Sequence, residues 1–167
     1  MTTELTETLR LYHDADDLFA LVSDVRRYPD FIHQITAMRV TSERRDGSVT
    51  ELTAEARIRY KFVTERFTSR VRADAAARTI DVGFVAGPFK VLENAWRFYP
   101  LSDGSTLVRF SIKAAFRNVV LQMLLDSQRD RAAQILVKRF SDEARRRYPV
   151  RGDASLDLGD EINALTQ

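Results

Sequence analysis

The side chains able to do acid–base, nucleophilic or metal chemistry are few and scattered. The chain has no cysteine and two histidines. Thiolate chemistry and a disulfide framework are therefore excluded, and a zinc site would need carboxylate ligands. His13 stands at the start of a predicted helix, where it is expected to be exposed. His33 follows Tyr28-Pro29-Asp30-Phe31 and is placed to line the mouth of a cavity, although a lone histidine is more often structural than catalytic. No nucleophile elbow, glycine-rich phosphate loop or HExxH pair is found. Glu65 and Ser69 fall on the inward face of their strand by alternation and can anchor the polar end of a ligand. A bulge that turns them outward is the competing expectation, because a buried unpaired carboxylate is expensive. Asn94 shares a face with Leu92 and Trp96, either as a polar anchor or as the partner of a neighbouring backbone group. An enzyme would need a general acid or base inside a cavity, and Glu65 is the one candidate, so the expectation is binding without turnover.

The positive signal is aromatic. Phe62, Phe67, Phe84, Phe89, Trp96, Phe98, Phe110, Phe116 and Phe140 nearly all fall on predicted inward faces. Most of them build an ordinary core. A minority facing a hollow would suit a flat ring that carries an isoprenoid or acyl tail.

These side chains need a sheet and a helix to position them. A strand is read over Thr3–Leu11, then a helix over Ala15–Ser23 with Asp14 as its N-cap. Tyr28-Pro29 predicts a break, with a second short helix or turn over Asp30–Gln34. The period then becomes two, beginning at Met38 and Val40, and Asp46-Gly47 marks a hairpin. Leu52, Ala54, Ala56, Ile58, Tyr60 and Phe62 alternate with polar residues, as in a sheet with one wet face. Further strands are read around Val71, Val82, Trp96 and Phe110, the last running on through Ile112 to Phe116. From Asn118 to Tyr148 there is no glycine or proline, which predicts one long helix capped by Asn118 and ended by Pro149 and Gly152. The fold class is α+β: a curved antiparallel sheet of about seven strands around a long C-terminal helix, with two short helices after strand one. Such a sheet leaves an apolar hollow against its helix, where small ligands sit.

Charge divides the chain unevenly. The net charge is +2, yet the segment after Arg151 carries Asp153, Asp157, Asp160 and Glu161 and no lysine or arginine. One domain is expected over residues 1–149, with an acidic, disordered tail over residues 150–167. The basic body suits an anionic partner, either lipid head groups or nucleic acid, with simple solubility as the default. Arg57, Arg59, Arg66, Arg70, Arg72, Arg97 and Arg109 fall on the outer sheet face, interrupted by Glu51, Glu55 and Glu93. Six of the seven residues of Val119–Leu125 are large and apolar. That stretch is either buried beneath loops or an exposed lip that docks on a bilayer. No apolar run approaches the ~20 residues of a membrane span, and no signal-peptide core is read. The expectation is a cytoplasmic protein, peripheral on the inner face of the cell membrane at most.

Three stretches carry a family resemblance: Asp24–Phe31 (DVRRYPDF), Gly87–Pro100 (GPFKVLENAWRFYP) and Val108–Asn118 (VRFSIKAAFRN). They resemble the coenzyme Q-binding START-like proteins, which include mitochondrial coenzyme Q carriers and bacterial ribosome-association toxins. The resemblance runs to about Tyr148. It implies a helix-grip fold with a deep cavity under the long helix. It also implies binding, without turnover, of ubiquinone or a related prenyl or acyl lipid, in support of respiratory electron transport or quinone biosynthesis. Tyr28, Pro29 and Phe31 would then shape the mouth, and Pro88, Phe89 and Leu92 would lead to Trp96 and Phe98. Phe110 and Ile112 would line the sheet, and Leu124 and Phe140 the helix, joined by Phe62, Phe67 and Phe84 from the strand pattern. After Tyr-Pro-x-Phe the family commonly has an apolar residue, then proline and tryptophan; here Ile32-His33-Gln34 makes a more polar mouth. The bacterial relatives imply an alternative, a ribosome-association inhibitor that holds the large subunit through Arg66, Arg70 and Arg72 in a salt-dependent manner. No RNA-stacking platform of exposed aromatics is expected, and no DNA partner. Related helix-grip proteins include cyclases, which implies a weaker enzymatic reading in the same cavity.

Overall fold

A computed structural model describes residues 2–167. Strand β1 (Thr3–Leu11) leads to α1 (Ala15–Ser23), a single 3-10 turn (Val25–Arg27) and the one-turn α2 (Tyr28–Phe31). Six strands follow: β2 (Ile35–Asp46), β3 (Val49–Tyr60), β4 (Val63–Asp74), β5 (Thr79–Ala86), β6 (Phe89–Pro100) and β7 (Thr106–Phe116). The long α3 (Val119–Arg147) and a short α4 (Gly159–Thr166) complete the chain. The strands form one sheet in the order β1-β7-β6-β5-β4-β3-β2, every pair antiparallel.

Local chemistry sets the helix starts. The Asp14 carboxylate accepts from the backbone N–H of Asp16 at 2.8 Å, and the Asn118 side chain accepts from Val120 N at 2.8 Å. Each satisfies donors that a helix N-terminus leaves unpaired. Pro29 does not break the chain as expected. It sits in the first turn of α2, where a missing N–H costs nothing.

The register stacks inward side chains into rows across the sheet. One row runs Phe110, Trp96, Ile80, Ala73 and a second runs Leu5, Ile112, Asn94, Val82, Val71, Leu52. Helix α1 covers one end of this face, with Phe19 edge-on to Phe98 at 6.2 Å. The C-terminal half of α3 covers the middle, where Ala133, Phe140 and Ala144 are buried. Its N-terminal half buries nothing fully and is held by polar contacts. Gln122 accepts from Phe116 N at 2.7 Å, Asp126 accepts from the Thr3 hydroxyl, and Tyr60 donates to Gln128 Oε1 at 3.3 Å.

Three expectations need correction. The tail beyond Arg151 is folded back rather than disordered. Arg10 donates to the carbonyls of Leu156 (2.9 Å) and Asp153 (3.1 Å), and Glu161 accepts from Ser102 N (2.9 Å). His13 is buried, not exposed: its Nδ1 lies 3.1 Å from the Pro149 carbonyl. Phe62 is 75% exposed. β3 stops at Tyr60 and β4 starts at Val63, so Phe62 is in a two-residue turn and not on the inward face of a strand.

Candidate ligand cavity

Between the sheet and the second half of α3 lies a cavity of about 180 Å³. Side-chain size creates it. The inward positions of β3 and β4 include the small Ala54, Ala56 and Ser69, flanked by Phe67 and Val71, while their neighbours across the hollow are Trp96, Phe110 and Phe140. Small side chains on one wall and rings on the other leave a space that neither can fill. Val25, Tyr28, Ile35 and Met38 close one end. Leu136 and Phe140 form the roof.

The rings are fixed by one another. Phe140 meets Trp96 at 5.1 Å, Tyr28 at 5.3 Å and Phe31 at 5.3 Å, each edge-to-face. The Arg147 guanidinium lies 5.5 Å from the Phe31 centroid and donates to the buried Glu143 at 3.1 Å. Glu143 is held below the usual carboxylate range by hydrogen bonds from Arg146 and by the charge of Arg147. The ion pair is internal to α3 and holds the Arg147 guanidinium against Phe31, the contact that joins the end of α3 to α2.

Polar groups on the wall are few. Asn94 Nδ2 donates to the Ser111 carbonyl at 2.8 Å, and Asn94 Oδ1 accepts from Trp96 Nε1 at 3.1 Å. Ser69 brings a hydroxyl. The Tyr28 hydroxyl donates to the Val22 carbonyl, and burial pushes its pKa well above that of an ordinary phenol. Glu65 is half-buried opposite Ile58 and does not line the cavity, and His33 is exposed.

A second cavity of about 110 Å³ lies beneath the middle of α3, bounded by Leu5, Ala114, Leu125 and Ala133. Phe110, Ile112 and Leu136 line both spaces and form the wall between them. A larger depression, about 630 Å³, is on the outer sheet face among Arg70, Arg72, Asp81, Glu93 and Lys113. It is open to water and lined by charges of both signs.

Of the residues expected at the site, Tyr28, Phe67, Leu92, Trp96, Phe110, Ile112 and Phe140 line the main cavity. Phe98 is buried but stacks behind Trp96 at 6.1 Å, next to α1. Phe84 and Phe89 belong to a separate cluster with Phe116, where Phe89 stacks on Phe116 at 4.5 Å. Pro88 is in the turn beside that cluster and its carbonyl accepts from Arg117 N at 2.9 Å. Pro29 and Leu124 are half-buried and outside the lining, and Phe31 packs on Phe140 just beyond it. Ala54, Ala56 and Leu136 were not singled out as lining, although the gap in side-chain volume along β3 marks the two alanines.

A curved seven-stranded sheet gripping one long helix over an apolar hollow defines a helix-grip, START-like protein. The chain belongs to the polyketide cyclase / dehydrase and lipid transport family, whose pattern matches residues 11–141. It is 32% identical over 131 residues to the ribosome association toxin RatA of Rickettsia prowazekii, covering 77% of this chain and 86% of that one. It is similar in structure to an 18 kDa protein of Caulobacter crescentus, with a TM-score of 0.72 and 41% identity over 87% of this chain and 97% of that one. The aromatase/cyclase Zhui of a Streptomyces species shares the fold alone, with a TM-score of 0.76 at 16% identity over 88% of this chain and 96% of that one.

Proposed function

We propose that this protein binds ubiquinone or a related prenyl or acyl lipid in the cavity under α3 and carries it without turnover, in support of respiration or quinone synthesis. The observation that carries this reading is the aromatic-walled hollow of about 180 Å³. An apolar cavity of roughly 150 Å³ accepts benzene, so this one suits a single ring rather than a whole lipid. The second cavity beyond Leu136 gives a tail somewhere to go. Each buried CH2 contributes ~0.8 kcal/mol before ordering costs, so the tail can dominate affinity. The lining supports carriage over catalysis. Its one titratable side chain among the described residues is Tyr28, whose hydroxyl is tied to Val22 and resists ionisation. The test is native extraction: purification without detergent, organic extraction and mass spectrometry against a ubiquinone standard. Near-stoichiometric quinone or lipid is expected. An empty extract, with no thermal shift on adding quinone, would overturn the reading.

A second reading, ribosome association, is favoured by the name of the R. prowazekii relative. Of the outer arginines, Arg66, Arg72 and Arg97 lie within 3.9, 3.6 and 2.8 Å of Glu55, Glu51 and Asp81, which leaves Arg57, Arg59, Arg70 and Arg109 as the freer cations among the described residues. Salt-dependent binding to large subunits that is lost in an Arg57→Glu, Arg59→Glu, Arg70→Glu protein would establish it.

A further inference from the structure

From three connections at one end of the sheet, we infer a docking surface for an anionic lipid bilayer. Antiparallel topology brings the β3–β4 turn, the β5–β6 turn and the β7–α3 junction to that same end. They also touch. Arg117 N donates to the Pro88 carbonyl at 2.9 Å, and Gly87 passes so close to Phe67 that an added Cβ would stand 2.7 Å from its Cβ. Tyr60, at the end of β3, reaches Gln128 of α3. The three connections therefore form one continuous tip.

Two kinds of side chain project from it. The apolar ones are Phe62 (75% exposed), Val119 (72%), Met123 (66%), Val120 (60%) and Val85 (44%). Scattered exposed apolar residues need no explanation, but five from three separate connections on one tip do. Phe62 is not there by a loose loop. Lys61 has φ +55°, a region that side-chain-bearing residues rarely adopt, and this tight turn holds the ring outward. The charged ones are Arg59, Lys61, Lys90 and Arg117, all exposed. None of the four takes part in an ion pair among the described residues.

The opposite end also exposes apolar side chains (Val150, Leu156 and Leu165) and cations outside any ion pair among the described residues (Arg44 and Arg45), but there carboxylates accompany them. There Arg10 pairs with Asp103, Arg26 with Glu43 and Arg78 with Asp16, and the acidic α4 segment is folded against it. The tip is apolar and cationic without carboxylate partners, whereas the base mixes apolar side chains and cations with Asp153, Asp157, Asp160 and Glu161. Exposed apolar side chains ringed by unpaired cations match the two layers of a membrane surface, acyl chains beneath anionic head groups. The small cavity bounded by Ala114 and Leu125 lies next to this tip, so a docked protein faces the bilayer with the part of α3 that is least buried. The inference stands independently of what occupies the cavities.

The test is vesicle flotation of the full chain with phosphatidylcholine alone and with phosphatidylcholine plus phosphatidylglycerol, across a salt series. Binding is expected to the anionic vesicles only and to weaken with salt. A Phe62→Glu, Met123→Glu protein should bind them about tenfold less, or weaker still, and a Lys61→Glu, Lys90→Glu protein should lose the preference for anionic lipid. All four side chains are exposed, so melting temperature should be unchanged. The quinone or lipid content of the native extract should also be unchanged, which separates this outcome from failure of the cavity reading. Equal flotation of the Phe62→Glu, Met123→Glu protein would overturn the inference. So would an absence of vesicle binding together with capture by large ribosomal subunits that Lys61→Glu, Lys90→Glu abolishes.

Discussion

Trp96 Nε1 donates to Asn94 Oδ1 across 3.1 Å, and these two residues of β6 share the inward face two positions apart. Asn94 is anchored in turn to the Ser111 carbonyl of β7. The pair fixes the edge of the indole while its face meets Phe110 at 4.7 Å and Phe140 at 5.1 Å. Asn94→Ala strips the partner from a buried indole N–H. The expected cost is about 1–3 kcal/mol of stability, measured by urea unfolding. Trp96 is the one tryptophan, so its emission should shift as well. Unchanged stability and emission would mean that Asn94 does not position the ring.

The cavity is predicted to be dispensable for folding and necessary for binding. Ala54 is 1% exposed and lines it, so Ala54→Leu places three extra carbons in empty space. Overpacking a full core costs about 1–3 kcal/mol; here the cost should be offset by filled volume, leaving the melting temperature within a few degrees. Extracted quinone or lipid should fall to background. A variant that still co-purifies with stoichiometric ligand would place the ligand elsewhere.

Leu136 separates the two cavities and is only half-buried. Leu136→Ala joins them. Large-to-small changes at buried leucines cost about 2–5 kcal/mol, and the low end is expected here. Affinity for long-tailed quinones should rise relative to short-tailed ones, read as quenching of Trp96 fluorescence. An unaltered preference between tail lengths would show that the tail does not run past Leu136.

Much of this geometry is legible in the residues, and the failures have physical causes. Alternation along β3 places Leu52, Ala54 and Ala56 correctly because one face is wet and the other dry. It fails at Phe62 because the turn at Lys61 contains no glycine, asparagine or proline to announce it. The docked tail escapes notice for a different reason. Arg10 grips it through the carbonyls of Asp153 and Leu156, and backbone acceptors leave no mark in side-chain composition. The family resemblance selects Trp96, Phe110 and Phe140, yet it adds Phe89, and the strand pattern adds Phe84, both from the neighbouring cluster around Phe116. Both sets are inward and aromatic, and only the small residues opposite distinguish a hollow from a packed core.

Tail docking should depend on pH through Asp103. Its carboxylate accepts from the Ser105 hydroxyl, from Asp153 N at 2.8 Å and from Arg10, all of which hold its pKa well below the usual range, the Ser105 hydroxyl most strongly. A lowered folded-state pKa means the unfolded chain binds the proton more readily. The stabilisation is therefore complete above the unfolded value of about 3.9 and is lost as pH falls through the folded value. Asp103→Asn should lower the melting temperature at neutral pH. The gap from the unaltered protein should begin to narrow below about pH 4 and close as pH falls through the lowered folded-state value, where both lack the charge. Arg10→Ala should expose the same segment and speed tryptic cleavage after Arg151, whose N–H is otherwise bonded to the Tyr12 carbonyl at 2.9 Å. A melting-temperature gap that stays constant from neutral to strongly acidic pH would show that Asp103 acts through its shape and not through its charge.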